Sequence, residues 1–159
     1  MADSTYLRSR ALMVPVLGVT PSHVHDSFLD GRSGSRVHHA VDIMAPRGTP
    51  VLAADDGRVL RMRRNSFGGN TIYALDAGER YVYYYAHLDR YASQLYEGKI
   101  VAKGEVIGYV GTTGNAPKNV PHLHFQLMKR PNAARWWDGT PIDPTAFLAL
   151  PGVKALAAP

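Results

Sequence analysis

The residues best able to do chemistry in this chain are its seven histidines: His23, His25, His38, His39, His87, His122 and His124. His122 and His124 stand two apart in Pro121-His122-Leu123-His124-Phe125. In a strand, residues so spaced face the same side, with Cα atoms about 6.5 to 7 Å apart. Two imidazoles side by side repel when both are protonated, so a metal ion or a proton-transfer role is a reason to place them there. His38 and Asp42 are four apart, which suits two ligands from one helical turn or from a bent loop strand, and Pro46, Gly48 and Pro50 favour the latter. Two histidines and an aspartate leave a fourth position open on a tetrahedral ion, the arrangement of a catalytic rather than a structural zinc. Spacing alone does not say whether His122 or His124 is the ligand.

Zinc can bring the pKa of a bound water from 15.7 to about 7, roughly 12 kcal/mol toward hydroxide, so no strong protein base is needed. A histidine within reach can take the remaining proton and return it to the leaving amine, and His87, in Tyr85-Ala86-His87-Leu88 at a predicted strand end, is the candidate. The chain has no cysteine, which excludes thiolate zinc sites, disulfides and a cysteine nucleophile together. It has neither the His-Glu-x-x-His helix of one large class of zinc enzymes nor a Gly-x-Ser-x-Gly elbow, leaving metal-assisted hydrolysis.

The elements that must position these groups read as short strands between turn signals. Residues up to about 36 mix short apolar runs with Pro, Gly and Ser, and end in the predicted exposed loop Asp30-Gly31-Arg32-Ser33-Gly34-Ser35. Strands are predicted over 51–54, 58–63, 71–75, 81–88, 99–102, 105–110 and 123–128, with Asp55-Asp56-Gly57 as a hairpin turn. The run 81–88 is the clearest, being aromatic and β-branched. The stretches 48–59 and 98–110, both punctuated by glycine, read either as copies of one hairpin unit or as chance similarity. Asp143-Pro144 reads as an N-cap followed by proline at the first position of a short helix. The expected fold class is mainly β, a compact antiparallel sheet or sandwich of short strands with a short C-terminal helix.

Seven fragments in order now resemble the lysostaphin-type, or LytM-like, family of zinc metallopeptidases that cut peptidoglycan peptides. They are His38-His39-Ala40-Val41-Asp42-Ile43, Gly48-Thr49-Pro50-Val51, Asp56-Gly57-Arg58-Val59, Gly68-Gly69-Asn70, Tyr85-Ala86-His87-Leu88, Gly104-Glu105-Val106-Ile107-Gly108 and Pro121-His122-Leu123-His124-Phe125. The resemblance implies that His38, Asp42 and His124 bind one zinc ion, while His87 and His122 position water and stabilise the tetrahedral intermediate. It implies a LytM-like, duplicated-hybrid-motif fold with the site in a groove on the sheet. The implied organisation is an N-terminal lead-in over 1–36 packed on the domain, a metallopeptidase core over 37–128 and a C-terminal extension over 129–159. Ala40 departs from the family, which usually has glycine there; the added methyl is tolerable unless the backbone needs positive φ.

His39 is a bystander or a groove residue, and His23 and His25 form a second His-x-His pair without a partner pattern. Asp55 and Asp56 read as solvated turn residues, 81–85 as core and sheet surface, and Asn70 and Tyr73 as candidates to line the groove. Two alternatives stand beside the hydrolase. A catalytically inactive LytM-like regulator or peptidoglycan-binding module would activate another wall hydrolase, but all five expected residues are present. A lipoyl- or biotinyl-like carrier needs its lysine at a hairpin tip, and no such tip occurs.

Length and composition agree with one domain: 159 residues, 45% hydrophobic and 19% charged. A net charge of +5 favours contact with something anionic, such as a wall polymer, but the scattered basic residues carry no nucleic-acid signature. No apolar run approaches the roughly 18 to 20 residues that span a bilayer. The apolar stretch 11–19 is not a signal peptide, because Pro15 interrupts it and no Ala-x-Ala site follows. The expected location is the bacterial cell envelope, periplasmic or secreted, with the export signal or anchor outside these residues.

Overall fold

The computed structural model describes residues 3–24, 27–29, 39–130, 135 and 137–149. His25, His38 and the loop Asp30-Gly31-Arg32-Ser33-Gly34-Ser35 lie outside the described residues, as do 150–159 of the C-terminal extension.

Among the described residues nine strands form a mainly β fold and pair with one another antiparallel: β1 Val41–Met44, β2 Pro50–Leu52, β3 Gly57–Asn65, β4 Gly69–Asp76, β5 Tyr81–Tyr91, β6 Ile100–Val101, β7 Val106–Val110, β8 His122–Lys129 and β9 Thr140–Ile142. The order is β1-β8-β5-β4-β3-β6, with β9 beside β8 and β7 bridging β2 and β5. The expected antiparallel sheet of short strands is what the chain forms. Aromatic β5 is its axis. Tyr81, Tyr83 and Tyr85 point into the main core with Phe125, Leu123 and Ile43, all essentially fully buried. On the other face Val82 packs with Leu75 and Met128.

One edge of β5 changes partner along its length. Tyr81 to Ala86 pair with β8, whereas Leu88 to Tyr91 pair with β7. His87 falls at the changeover, opposite a register shift in β4 as well.

The two glycine-punctuated stretches carry matching hydrogen bonds. Gly48 N–H donates to Val110 O and Val110 N–H to Thr49 O, both 2.8 Å; Gly98 N–H donates to Val59 O at 2.7 Å and Val59 N–H to Lys99 O at 2.9 Å. Gly48 and Gly98 also share a left-handed backbone, φ +88° and +95°. The first stretch thus holds the second as the second holds the first.

Three local expectations differ. Asp55-Asp56-Gly57 does not reverse a hairpin, because β2 pairs with β7 while β3 pairs with β4 and β6. Nor is Asp55 solvated: its side chain is fully buried, gripped by Arg10 Nε and Nη2 at 3.0 Å each and by the Tyr83 hydroxyl at 3.0 Å. Arg10 reaches it from α1, Asp3–Arg10, an eight-residue helix within the segment read as irregular. Residues 11–17 then run beside β2, with Leu52 N–H donating to Pro15 O and Leu17 N–H to Pro50 O. Pro15 has no N–H, so this run covers the β2 edge without completing a ladder. At the other end Asp143 caps as expected, accepting from Thr145 N–H at 3.0 Å, and the short helix Pro144–Phe147 is of the 3-10 type.

Candidate active site

Asp42 sits on β1, a strand of four residues and not a helical turn. Its strand character comes from pairing: Val41 lies opposite Phe125 and Ile43 opposite Leu123, burying their side chains in the core. Alternation then turns Asp42 to the other face. Its cross-strand partner is His124, which in turn lies opposite Ala86 of β5; His122 lies opposite Met44. Asp42, His122 and His124 therefore share one face, as the two-residue spacing of the histidines anticipated.

His87 reaches that face by a different device. Strand parity would send it to the core beside Tyr85, but its backbone is left-handed, φ +62°, and its N–H donates to Gly68 O at 2.7 Å rather than continuing the ladder. This bulge re-aims the ring. The imidazole comes to rest with its centroid 5.0 Å from that of His122 and 5.8 Å from that of His124. A left-handed conformation costs a non-glycine residue about 1 to 2 kcal/mol, and histidine is among the residues that adopt it more readily.

The geometry separates the roles of the ring nitrogens. His87 Nδ1 stands 2.8 Å from Thr113 O, and His122 Nδ1 stands 2.9 Å from Val120 O. A carbonyl only accepts, so both Nδ1 atoms carry hydrogen and both Nε2 atoms are left for the site. His124 presents Nδ1 instead, 3.4 Å from Asp42 Oδ1, while His122 Nε2 is 3.8 Å from the same oxygen. A strong ion pair between imidazolium and carboxylate would be about 2.7 to 2.9 Å long. Two donors on one tetrahedral zinc, each bonded at about 2.0 to 2.2 Å, stand about 3.3 to 3.5 Å apart. Asp42 Oδ1 and His124 Nδ1 stand at that separation, and His122 Nε2 is farther from the same oxygen. His38, the remaining expected ligand, lies outside the described residues, and among the described residues no third acidic or imidazole side chain completes a metal cage.

His87 and His122 are only 6% and 7% exposed, against 19% for the side chains of Asp42 and His124. Burial pushes the His87 imidazole down to about 4, with repulsion from His124 and His122 adding to it, although the Thr113 carbonyl favours the charged form. His87 is therefore neutral, with a lone pair on Nε2, across the physiological range.

Other residues are now placed. Tyr84 meets the His124 ring edge-on at 5.9 Å and packs against Tyr73 at 4.6 Å with the rings tilted by 45°, so Tyr73 and Tyr84 form an aromatic wall beside the site. Asn70 turns its amide inward to Leu88 O and Asp89 O. His39 is exposed beside Phe28, with ring centroids 5.6 Å apart, and His23 is exposed and bonded to Thr20 Oγ1 at 2.8 Å. Ala40 is fully buried and its φ is not in the left-handed region, so the extra methyl is accommodated. Sequence reading missed Thr113, whose only signal was a polar glycine-flanked loop, Gly111-Thr112-Thr113-Gly114.

The model of peptidase family M23 matches residues 36–144. The L-Ala--D-Glu endopeptidase of Bacillus subtilis is 38% identical over 111 residues, 67% of this chain and 34% of its own length. The peptidoglycan DD-endopeptidase ShyC of Vibrio cholerae is 37% identical over 93 residues, 58% of this chain and 20% of its own. This chain thus spans about a third or less of these relatives. The solved structure of LytU superposes with a TM-score of 0.66 at 30% identity, covering 79% of this chain and 83% of that one. A zinc-containing peptidase from Vibrio cholerae does so with a TM-score of 0.66 at 28% identity, covering 89% and 41%. Together with the antiparallel fold and the grouped histidines, the match over 36–144 means that this chain belongs to peptidase family M23.

Proposed function

We propose that this chain is a zinc-dependent endopeptidase that hydrolyses peptide crosslinks or stem peptides of bacterial peptidoglycan. In this reading His38, Asp42 and His124 hold one zinc ion, His87 is the general base and His122 stabilises the tetrahedral intermediate. The core over 37–128 carries the chemistry, the lead-in over 1–36 and the extension over 129–159 support it, and the place of action is the cell envelope. The observation that carries the reading is the 3.4 Å approach of Asp42 Oδ1 to His124 Nδ1 on a face that also holds two histidines with Nδ1 tied back. Family membership and relatives named as endopeptidases support it.

The donor set fits zinc, since one carboxylate and imidazoles without thiolate are the ligands of a catalytic site. Zinc held there would polarise the scissile carbonyl and bring a bound water's pKa to about 7. His87 Nε2, neutral and aimed at the site, accepts the proton of the attacking water and delivers it to the departing amine nitrogen. His122, entering as the imidazolium with its second proton taken from solvent before substrate binds, donates a hydrogen bond from Nε2 to the carbonyl oxygen as negative charge develops there, and keeps that proton when the intermediate collapses. The backbone carbonyls of Thr113 and Val120 keep both rings in the tautomer and orientation these transfers need. Tyr84 and Tyr73 shield one side of His124 from water. Exposed basic residues such as Arg64 give the +5 chain a means of lingering on anionic wall polymer.

Incubating the purified chain with sacculi of defined crosslink type and identifying the released muropeptides by mass tests the proposal. New amino groups and smaller muropeptides are expected. Intact crosslinks and stems after prolonged incubation with zinc present would contradict it.

A further inference from the structure

The His87 bulge removes ladder bonds at the point where β5 leaves β8 for β7, and something must hold the freed backbone. Asn70 and Leu88 are directly opposite on β4 and β5, yet a hydroxyl from a third segment sits between their polar groups. Asn70 N–H donates to Thr113 Oγ1 at 3.1 Å, and Thr113 Oγ1–H donates to Leu88 O at 2.7 Å. The Asn70 side-chain amide adds bonds to Leu88 O at 3.0 Å and Asp89 O at 3.3 Å. The same Thr113 accepts the His87 Nδ1 hydrogen on its own carbonyl at 2.8 Å.

Room for this is made by glycine. A Cβ on Gly69, φ +67°, would stand 2.3 Å from Thr113 Oγ1, and one on Gly114, φ +73°, would stand 2.4 Å from Gly69 N. The two loops thus meet backbone to backbone, and neither position suits a side chain.

We propose that Thr113, with Asn70 as its partner, is a clasp that positions the catalytic histidine: its hydroxyl closes the broken ladder on either side of His87 while its carbonyl fixes the imidazole. The proposal rests on the reading of His87 as general base. One residue couples the backbone twist that aims the ring to the hydrogen bond that sets its tautomer. Loss of the hydroxyl frees Leu88 O and Asn70 N–H together, lets the loop carrying Thr113 O drift, and leaves His87 Nε2 poorly aimed. The proposed ligands Asp42 and His124 lie on β1 and β8, whereas the bonds of the Thr113 hydroxyl run to β4 and β5; its loop meets β8 at His122, whose N–H donates to Gly111 O at 3.3 Å.

The test compares Thr113→Val, which keeps the shape but lacks the hydroxyl, with Thr113→Ser, which restores it. Each zinc-loaded full chain is assayed on solubilised crosslinked muropeptides, and the His87 ring N–H is followed by NMR. Thr113→Val is expected to keep its zinc and its KM, to lose about 10- to 100-fold in kcat, and to show a shifted, faster-exchanging ring proton. Thr113→Ser is expected to recover most of the rate. A Thr113→Val protein with unchanged kcat and an unmoved ring proton would overturn the clasp, as would one that loses zinc along with its rate. A moved ring proton with unchanged turnover, in a protein where His87→Gln is equally harmless, would uphold the clasp and reject His87 as the base.

Discussion

Replacing Arg10 by methionine is expected to cost the fold about 3 to 5 kcal/mol, because it strands a carboxylate that has no access to water. The Asp55 side chain is fully buried and accepts two bonds at 3.0 Å from the Arg10 guanidinium; what remains after the substitution is the Tyr83 hydroxyl at 3.0 Å and the Asp56 N–H at 2.8 Å. Two neutral donors do not balance a buried charge. With a urea m-value of about 2 kcal/mol/M the midpoint should fall by about 1.5 to 2.5 M. Asp55→Asn added to Arg10→Met removes the stranded charge and should recover about 1 to 3 kcal/mol, so the two substitutions couple strongly in a double-mutant cycle. Turnover per folded molecule should hold, since Tyr83 and Asp55 lie on the sheet face away from Asp42 and His124. Urea melts of the two single variants and the double variant measure all of this. An Arg10→Met midpoint within 0.5 M or so of the parent, or an Asp55→Asn change that worsens it, would refute the reasoning.

Gly114→Ala should destabilise by about 2 to 4 kcal/mol, the sum of left-handed strain and overpacking against Gly69 N and Phe67 O, both 2.4 Å from the new Cβ; an unchanged urea midpoint would mean that the loops can part freely. His87→Ala should keep its zinc and lose about 100- to 10,000-fold in kcat, whereas Asp42→Ala should lose metal and activity together; near-normal turnover by His87→Ala would remove it from the mechanism. Alkali should unfold the chain through its tyrosines. Burial and Asp76 push Tyr6 up to about 12, and Tyr73, Tyr81, Tyr83, Tyr84, Tyr85 and Tyr91 are all raised by burial. The fold favours the neutral phenols, so their stabilising contribution is complete below pH 10 and disappears as pH climbs through 12 and above. Absorbance at 295 nm should show these rings ionising late and cooperatively with unfolding; gradual titration of the native protein centred on pH 10 would contradict it.

Much of the site was legible because its signals are local. The aromatic run of β5 forms a strand wherever it is placed, and the two-residue spacing of His122 and His124 puts both on one face whatever the strand pairs with. Which of them lies opposite Asp42 was not legible, being a matter of β1–β8 register. β1 itself is four residues flanked by a left-handed His39 and by Pro46, and only Phe125 and Leu123 across the ladder make it a strand. The helix α1 has almost no amphipathic pattern; Tyr6 stacked on Tyr81 at 5.5 Å, its hydroxyl on Asp76 and Arg10 on Asp55 hold it from outside. The aim of His87 could not be read from Tyr85-Ala86-His87-Leu88, because the bulge is held by Thr113, 25 or more residues away in sequence.

Titrating the chelator-stripped chain with zinc, while counting bound metal and cleaved peptide bonds in the same samples, puts the hydrolase reading to its plainest trial. One ion per chain should bind and activity should rise in proportion to it, with Asp42→Ala neither binding nor cleaving. Full cleavage by the metal-free chain, or zinc held just as tightly after Asp42→Ala, would contradict it.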